Sequence, residues 1–92
     1  MVSTNKVKYN HIAWGRTCSI ASTGVHFLVI ITGKIYLVWF GGSTELIVYD
    51  MIGTTKGSGV SCTVDNATFK RSGSTITVTT TSDQSIWILT PG

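Results

Sequence analysis

Val25-His-Phe-Leu-Val-Ile-Ile-Thr-Gly-Lys-Ile-Tyr-Leu-Val-Trp-Phe40 is the stretch that decides the fold. It reads as two apolar strands folded back on each other at Gly33-Lys34, because a glycine at the first central position suits a type II′ turn, whose twist matches that of paired strands. In that register Thr32 faces Ile35, Ile31 faces Tyr36, Leu28 faces Trp39 and Phe27 faces Phe40. Side chains alternate across a strand, so Leu28, Ile30, Leu37 and Trp39 share one face and Phe27, Val29, Ile31, Tyr36, Val38 and Phe40 the other. Both faces are apolar, whereas a small sheet domain normally leaves one face wet. This hairpin therefore lies between two layers or meets another subunit, and Phe27, Val29, Ile31, Tyr36, Val38 and Phe40 are the expected oligomer interface.

Working outward, Lys6–Trp14 and Thr17–Ser22 read as two strands separated at Gly15, with Thr23-Gly24 turning into the hairpin. Glu45–Met51 is a further strand, apolar on both sides between its two carboxylates, and Gly53–Gly59 is a loop by composition. The lysine of that loop precedes its last glycines and no helix follows, so it is not a phosphate loop. Val60–Val64 is a short strand ended by a turn at Asp65-Asn66. A second hairpin follows, with Ser72-Gly73 as its turn, in which Phe69 faces Ile76 and Ala67 faces Val78 while Lys70 and Thr68 face Thr75 and Thr77. One side is apolar and the other polar, unlike the first hairpin. Thr80–Gln84 reads as a turn, and Ser85–Thr90 as a last strand. No stretch has helical periodicity and none repeats. The expected architecture is all-β, a single domain over residues 1–92: a small antiparallel β-sandwich or jelly roll of about eight strands.

Composition limits function more than it specifies it. A chain of 92 residues buries roughly 60–65% of its unfolded area, so added burial through oligomerisation is valuable. Only 12% of residues are charged, and the seven basic ones are scattered along the chain, which argues against a nucleic-acid surface. The apolar stretch is interrupted at Thr32-Gly33-Lys34, too short on either side for a membrane helix. Met1–Lys6 is polar and lacks a signal-peptide core, so synthesis in a cytoplasm is expected. Cys18 and Cys62 form no metal-binding spacing and are either two thiols or one bridge. No metal or other cofactor is expected.

Catalysis needs convergent groups, and Glu45 and Asp50, five apart on one strand, project to opposite faces. No activated serine motif is present, so the expectation is a protein that is not an enzyme. Trp14, with His11 and Arg16 nearby, offers a ring and donors of the kind that bind a sugar. The simpler reading has Trp14 plug the core, as tryptophans are mostly buried, with Trp39 and Trp87 as packing residues.

The stretch Ala67-Thr68-Phe69-Lys70-Arg71-Ser72-Gly73-Ser74-Thr75-Ile76-Thr77-Val78, followed by Ser85-Ile86-Trp87-Ile88-Leu89, resembles the C-terminal head domains of bacteriophage tail fibres and receptor-binding proteins. Such heads often end in a Ser-Gly hairpin, a Thr-rich strand and a last apolar strand. The resemblance covers about a quarter of the chain by motif. It implies a virion attachment module, a homotrimer at a tail-fibre tip or another extracellular surface, that binds a host-surface saccharide or protein. These 92 residues include no shaft, collagen-like or coiled-coil segment, so an excised or stand-alone domain is expected, and no residue role carries over. The alternatives are a monomeric carbohydrate-binding module using Trp14, His11 and Arg16, and a capsid-decorating structural protein.

Overall fold

A computed structural model describes residues 7–21, 26–42 and 44–91, and the side chains of 13–21, 26–42 and 44–88. Eight strands run through it: β1 (Val7–Ala21), β2 (His26–Ile31), β3 (Lys34–Phe40), β4 (Leu46–Tyr49), β5 (Thr55–Gly59), β6 (Ser61–Val64), β7 (Ala67–Ser72) and β8 (Thr75–Pro91). They form one antiparallel sheet in the order β5-β4-β3-β2-β8-β7-β6, with β1 added along β8, nearly closed into a barrel. β2 to β5 and β6 to β8 each run as a meander, and β5 and β6, the two ends of the sheet, come together where the barrel nearly closes. The all-β architecture is the one that strand spacing and Thr-rich composition predict.

Closure depends on the long β1–β8 ribbon. Its register runs from Val7 opposite Pro91 to Gly15 opposite Gln84, then resumes at Thr17 opposite Thr79. Arg16 alone is thus set against Thr80–Asp83, a large bulge of the kind that bends a strand and increases its twist. Gly15 has φ 124°, a conformation that other residues rarely adopt. The buried Gln84 amide donates across the irregularity to the carbonyls of Val78 (2.6 Å) and Arg16 (3.2 Å). Ahead of the bulge β8 pairs with β7; beyond it, with β2. One strand therefore serves two layers. Thr80–Gln84, expected as a turn, is this bulge, and the two strands expected on either side of Gly15 are one bent strand.

Both hairpin turns move by one residue from their expected places. In the first, Ile31 pairs with Lys34 and Leu28 with Leu37, so Thr32-Gly33 is the turn. Thr32 and Gly33 have φ of 47° and 80°, the two positive values of a type I′ turn. In the second, Ser72 pairs with Thr75 and Phe69 with Val78, with Gly73 in the left-handed region at the head of the turn. Each slip changes the pairing by two residues, so every side chain keeps its face.

The expected loop Gly53–Gly59 contains a strand, β5, paired with β4. A Cβ at Gly57 would lie 2.8 Å from Cys62 Sγ and 3.1 Å from Val64 Cγ2. The glycine there permits β5 and β6 to approach where the barrel closes. Arg71, buried, donates to the carbonyls of Gly42, Glu45 and Gly73 and stacks its guanidinium 4.5 Å from the Phe40 ring centroid. It ties the β3–β4 connection to the β7–β8 hairpin, and carbonyl dipoles and an aromatic face meet its charge.

The interior holds Ile20, Phe27, Val29, Ile31, Tyr36, Val38, Phe40, Leu46, Val48, Phe69, Ile76, Val78 and Ile86 in one buried cluster. This corrects the expected interface. Phe27, Val29, Ile31, Tyr36, Val38 and Phe40 point into the barrel, where the layer containing β7 covers them within a single chain. The face left outside is the other one.

Candidate functional site: an apolar outer face and a polar cleft

Three cross-strand rows build the outer face. Trp87, Leu28, Leu37 and Tyr49 form the middle row; Trp14, Ser85, Ile30 and Ile35 lie on one side of it, His26, Trp39 and Ile47 on the other. Five strands at ordinary spacing make the strip about 20 Å wide. None of these residues is charged at neutral pH apart from what His26 can take up. Leu28 and Leu37 are already buried by Ile30, Ile35, Tyr49 and Trp87, which lie over them. The exposed area is at the margins: Trp14 is 69% exposed and Trp39 42%.

Trp14 and Trp87 meet edge to face, centroids 6.2 Å apart and planes at 69°, a favoured arrangement for aromatic pairs. The Trp87 indole donates to Ser85 Oγ at 3.1 Å. His26 packs 4.5 Å from Trp39, and burial lowers its pKa from the ordinary value of 6.5.

The Trp14, His11 and Arg16 grouping is altered by the fold. Trp14 does not plug the core; β1 turns it outward, beside Trp87. Arg16 stands at the bulge and reaches Asp83 at 3.7 Å, an ion pair exposed on both sides and worth little. The two side chains thus have different neighbours. His11 belongs to β1, and its side chain lies outside the described residues. Trp39, expected as a packing residue, is on the open face and exposed, and Trp87, expected likewise, is half-buried there.

A second region lies at one end of the barrel, where the β2–β3, β4–β5 and β6–β7 turns gather. Lys34, Ile35, Tyr36, Asp50, Met51, Lys56, Val64 and Asp65 surround an open cleft of about 390 Å³. Lys34 Nζ stands 3.9 Å from Asp65 Oδ2, and Lys56 Nζ 3.9 Å from Asp50 Oδ2. Asp50 also accepts the amides of Ile52 (3.1 Å) and Thr54 (2.8 Å) through Oδ1, which fixes the β4–β5 turn and aims its other oxygen at the cleft. The Tyr36 hydroxyl donates to Asp65 Oδ2. Burial, then that bond and the charges of Asp65 and Asp50, push the Tyr36 pKa up to about 12, so the phenol is neutral at any physiological pH.

Sequence reading missed the cleft because its members are 31 residues apart from first to last, Lys34 to Asp65, and no motif links them. The usable signal is topological. In a meander, alternate turns share one end, so residues beside the first, third and fifth turns converge.

Cys18 and Cys62 are free, and burial raises both pKa values, keeping the thiols protonated and poor nucleophiles. Among the described residues no group of three or more His, Cys, Asp or Glu is placed to hold a metal ion. Compared with known proteins, the chain matches no family model, no curated protein and no solved structure.

Proposed function

We propose that this is a non-enzymatic virion attachment or structural module of the fibre-head kind, assembled as a homotrimer through its outer sheet face. The observation that carries the reading is the charge-free strip from Trp14 to Trp39, with two of its three tryptophans exposed at the margins. Contiguous apolar surface of that sort marks interaction sites, and tryptophan is prominent among the residues that dominate interface energies. A small, charge-poor chain gains burial by covering it. The resemblance of Ala67–Leu89 to tail-fibre heads supplies the trimeric stoichiometry and the attachment role.

Light scattering across a micromolar dilution series tests the assembly. The expected result is three times the chain mass, falling to one chain in Trp39→Lys, an exposed position whose replacement leaves the core intact. A wild-type chain that remains monomeric overturns it. The second reading, a monomeric carbohydrate-binding module, is favoured by the 69% exposure of Trp14 beside Trp87, a ring free to stack on the apolar face of a sugar. That reading requires a monomer whose glycan binding is lost in Trp14→Ala.

A further inference from the structure

We infer that the cleft at the end of the barrel is a second site, sharing only Ile35 with the rows of the outer face, and that it takes an uncharged saccharide unit. The charges around it balance, two lysines against two aspartates, with Tyr36 neutral. An anion would meet Asp50 and Asp65, and a cation Lys34 and Lys56. A hydroxyl suits both, since it donates to a carboxylate while accepting from an ammonium. The spacing leaves room for this: at 3.9 Å each Lys–Asp pair is about 1 Å longer than a hydrogen-bonded one, so an oxygen of a ligand can join both partners.

Val64, Met51 and Ile35 supply apolar contact for the C–H face of a sugar ring. About 390 Å³ lies at the lower end of the range for small-molecule sites, roughly 300–1,000 Å³. Lys34, Tyr36 and Asp65 also border a smaller hollow of about 50 Å³ that reaches Thr32, Asn66 and Ser82, so the wall between the two is polar on both sides. The lining is preorganised: the Asp50 carboxylate is fixed by two amides and the Asp65 carboxylate by the Tyr36 hydroxyl.

The inference gives the attachment reading its ligand class and rests on that reading for its biological purpose, while the cleft chemistry stands independently of the outer face. Amide-shift titration of the full chain with glucose, galactose and N-acetylglucosamine, and with glucuronate and glucosamine as charged comparators, tests it. The expected result is saturable shifts at Lys34, Asp50–Lys56 and Asp65-Asn66 with a neutral sugar, and tenfold or greater weakening in Asp65→Asn and in Lys56→Gln. Asparagine tolerates the left-handed backbone at position 65, and Lys56 is exposed, so both variants keep the fold. Trp14→Ala and Trp39→Lys should leave this binding unchanged whatever they do to assembly. Shifts confined to the outer rows, tighter binding of glucuronate or glucosamine than of every neutral sugar, or no shift at these residues up to tens of millimolar overturns it.

Discussion

On one face of the β2–β3 hairpin, Phe27, Val29, Ile31, Tyr36, Val38 and Phe40 are met by Ile20, Phe69, Ile76 and Val78 from the opposite layer. On the other, among the described residues, Leu28 and Leu37 are packed by Ile30, Ile35, Tyr49 and Trp87 of the same face, with Trp39 and Trp14 exposed at the edges. The two faces are nearly equal in apolar content and differ in what covers them. Apolar composition shows that a face will be buried; the bend of β1 and β8, which brings the second layer round, selects which face is buried first. Among the described residues, no second layer lies over the other face.

The largest effect that could break this contrast is a truncation on each side. Phe27→Ala should cost about 3–5 kcal/mol by denaturant unfolding, since it removes a fully buried aromatic ring packed 5.6 Å from that of Phe40. Trp39→Lys should change the stability of a single chain by no more than about 0.5 kcal/mol. Equal costs would mean that both faces are interior.

Tyr36 sharpens the contrast next, because it is an inner-face residue whose hydroxyl emerges at the cleft. Its folded pKa of about 12 lies above the ordinary 10, so the fold favours the neutral phenol. That contribution is complete below pH 10 and is lost as the pH rises from 10 through 12. Thermal melts between pH 8 and 12 should show this loss in the wild type and not in Tyr36→Phe, which should itself cost about 1 kcal/mol at pH 8. A parallel alkaline loss in both proteins would remove Tyr36 as its source.

The smallest expected effect belongs to the outer face. Burial lowers the His26 pKa below 6.5, so neutral His26 favours the folded state above that pH, and the advantage is lost as the pH falls from 6.5 through the lowered value. His26 is only partly buried, so the change in melting temperature should be slight; the proposed association through the outer face should weaken more, since a charge appears in the strip. Replacing His26 by glutamine should flatten both dependences between pH 7 and 5, and an unchanged slope would place the titrating group elsewhere.

Much of this protein was legible along the chain. The alternation of Phe27–Phe40 and of Ala67–Val78 sorted side chains correctly between two faces even though each turn is displaced by one residue, because pairing slipped by two and a strand repeats every two. Tyr36 and Trp39 were assigned to opposite faces, as they are. Local pattern could not say that Gly15 bends a strand rather than ending one, or that Gly57 serves a close approach rather than a loop, since both roles depend on residues far away in sequence, Gln84 in one case and Cys62 with Val64 in the other.

The sequence by itself determined that the chain is all-β, which side chains share a face, and that one hairpin is apolar on both sides. These follow from side-chain chemistry and the two-residue period, which are properties of each strand alone. Only the tertiary structure decided which of the two apolar faces is interior, that Trp14 and Trp39 are exposed, and that Lys34, Asp50, Lys56 and Asp65 surround one cleft. Those facts depend on the path of the β1–β8 ribbon around the barrel and on alternate turns of a meander meeting at one end, both of which are relations between distant segments.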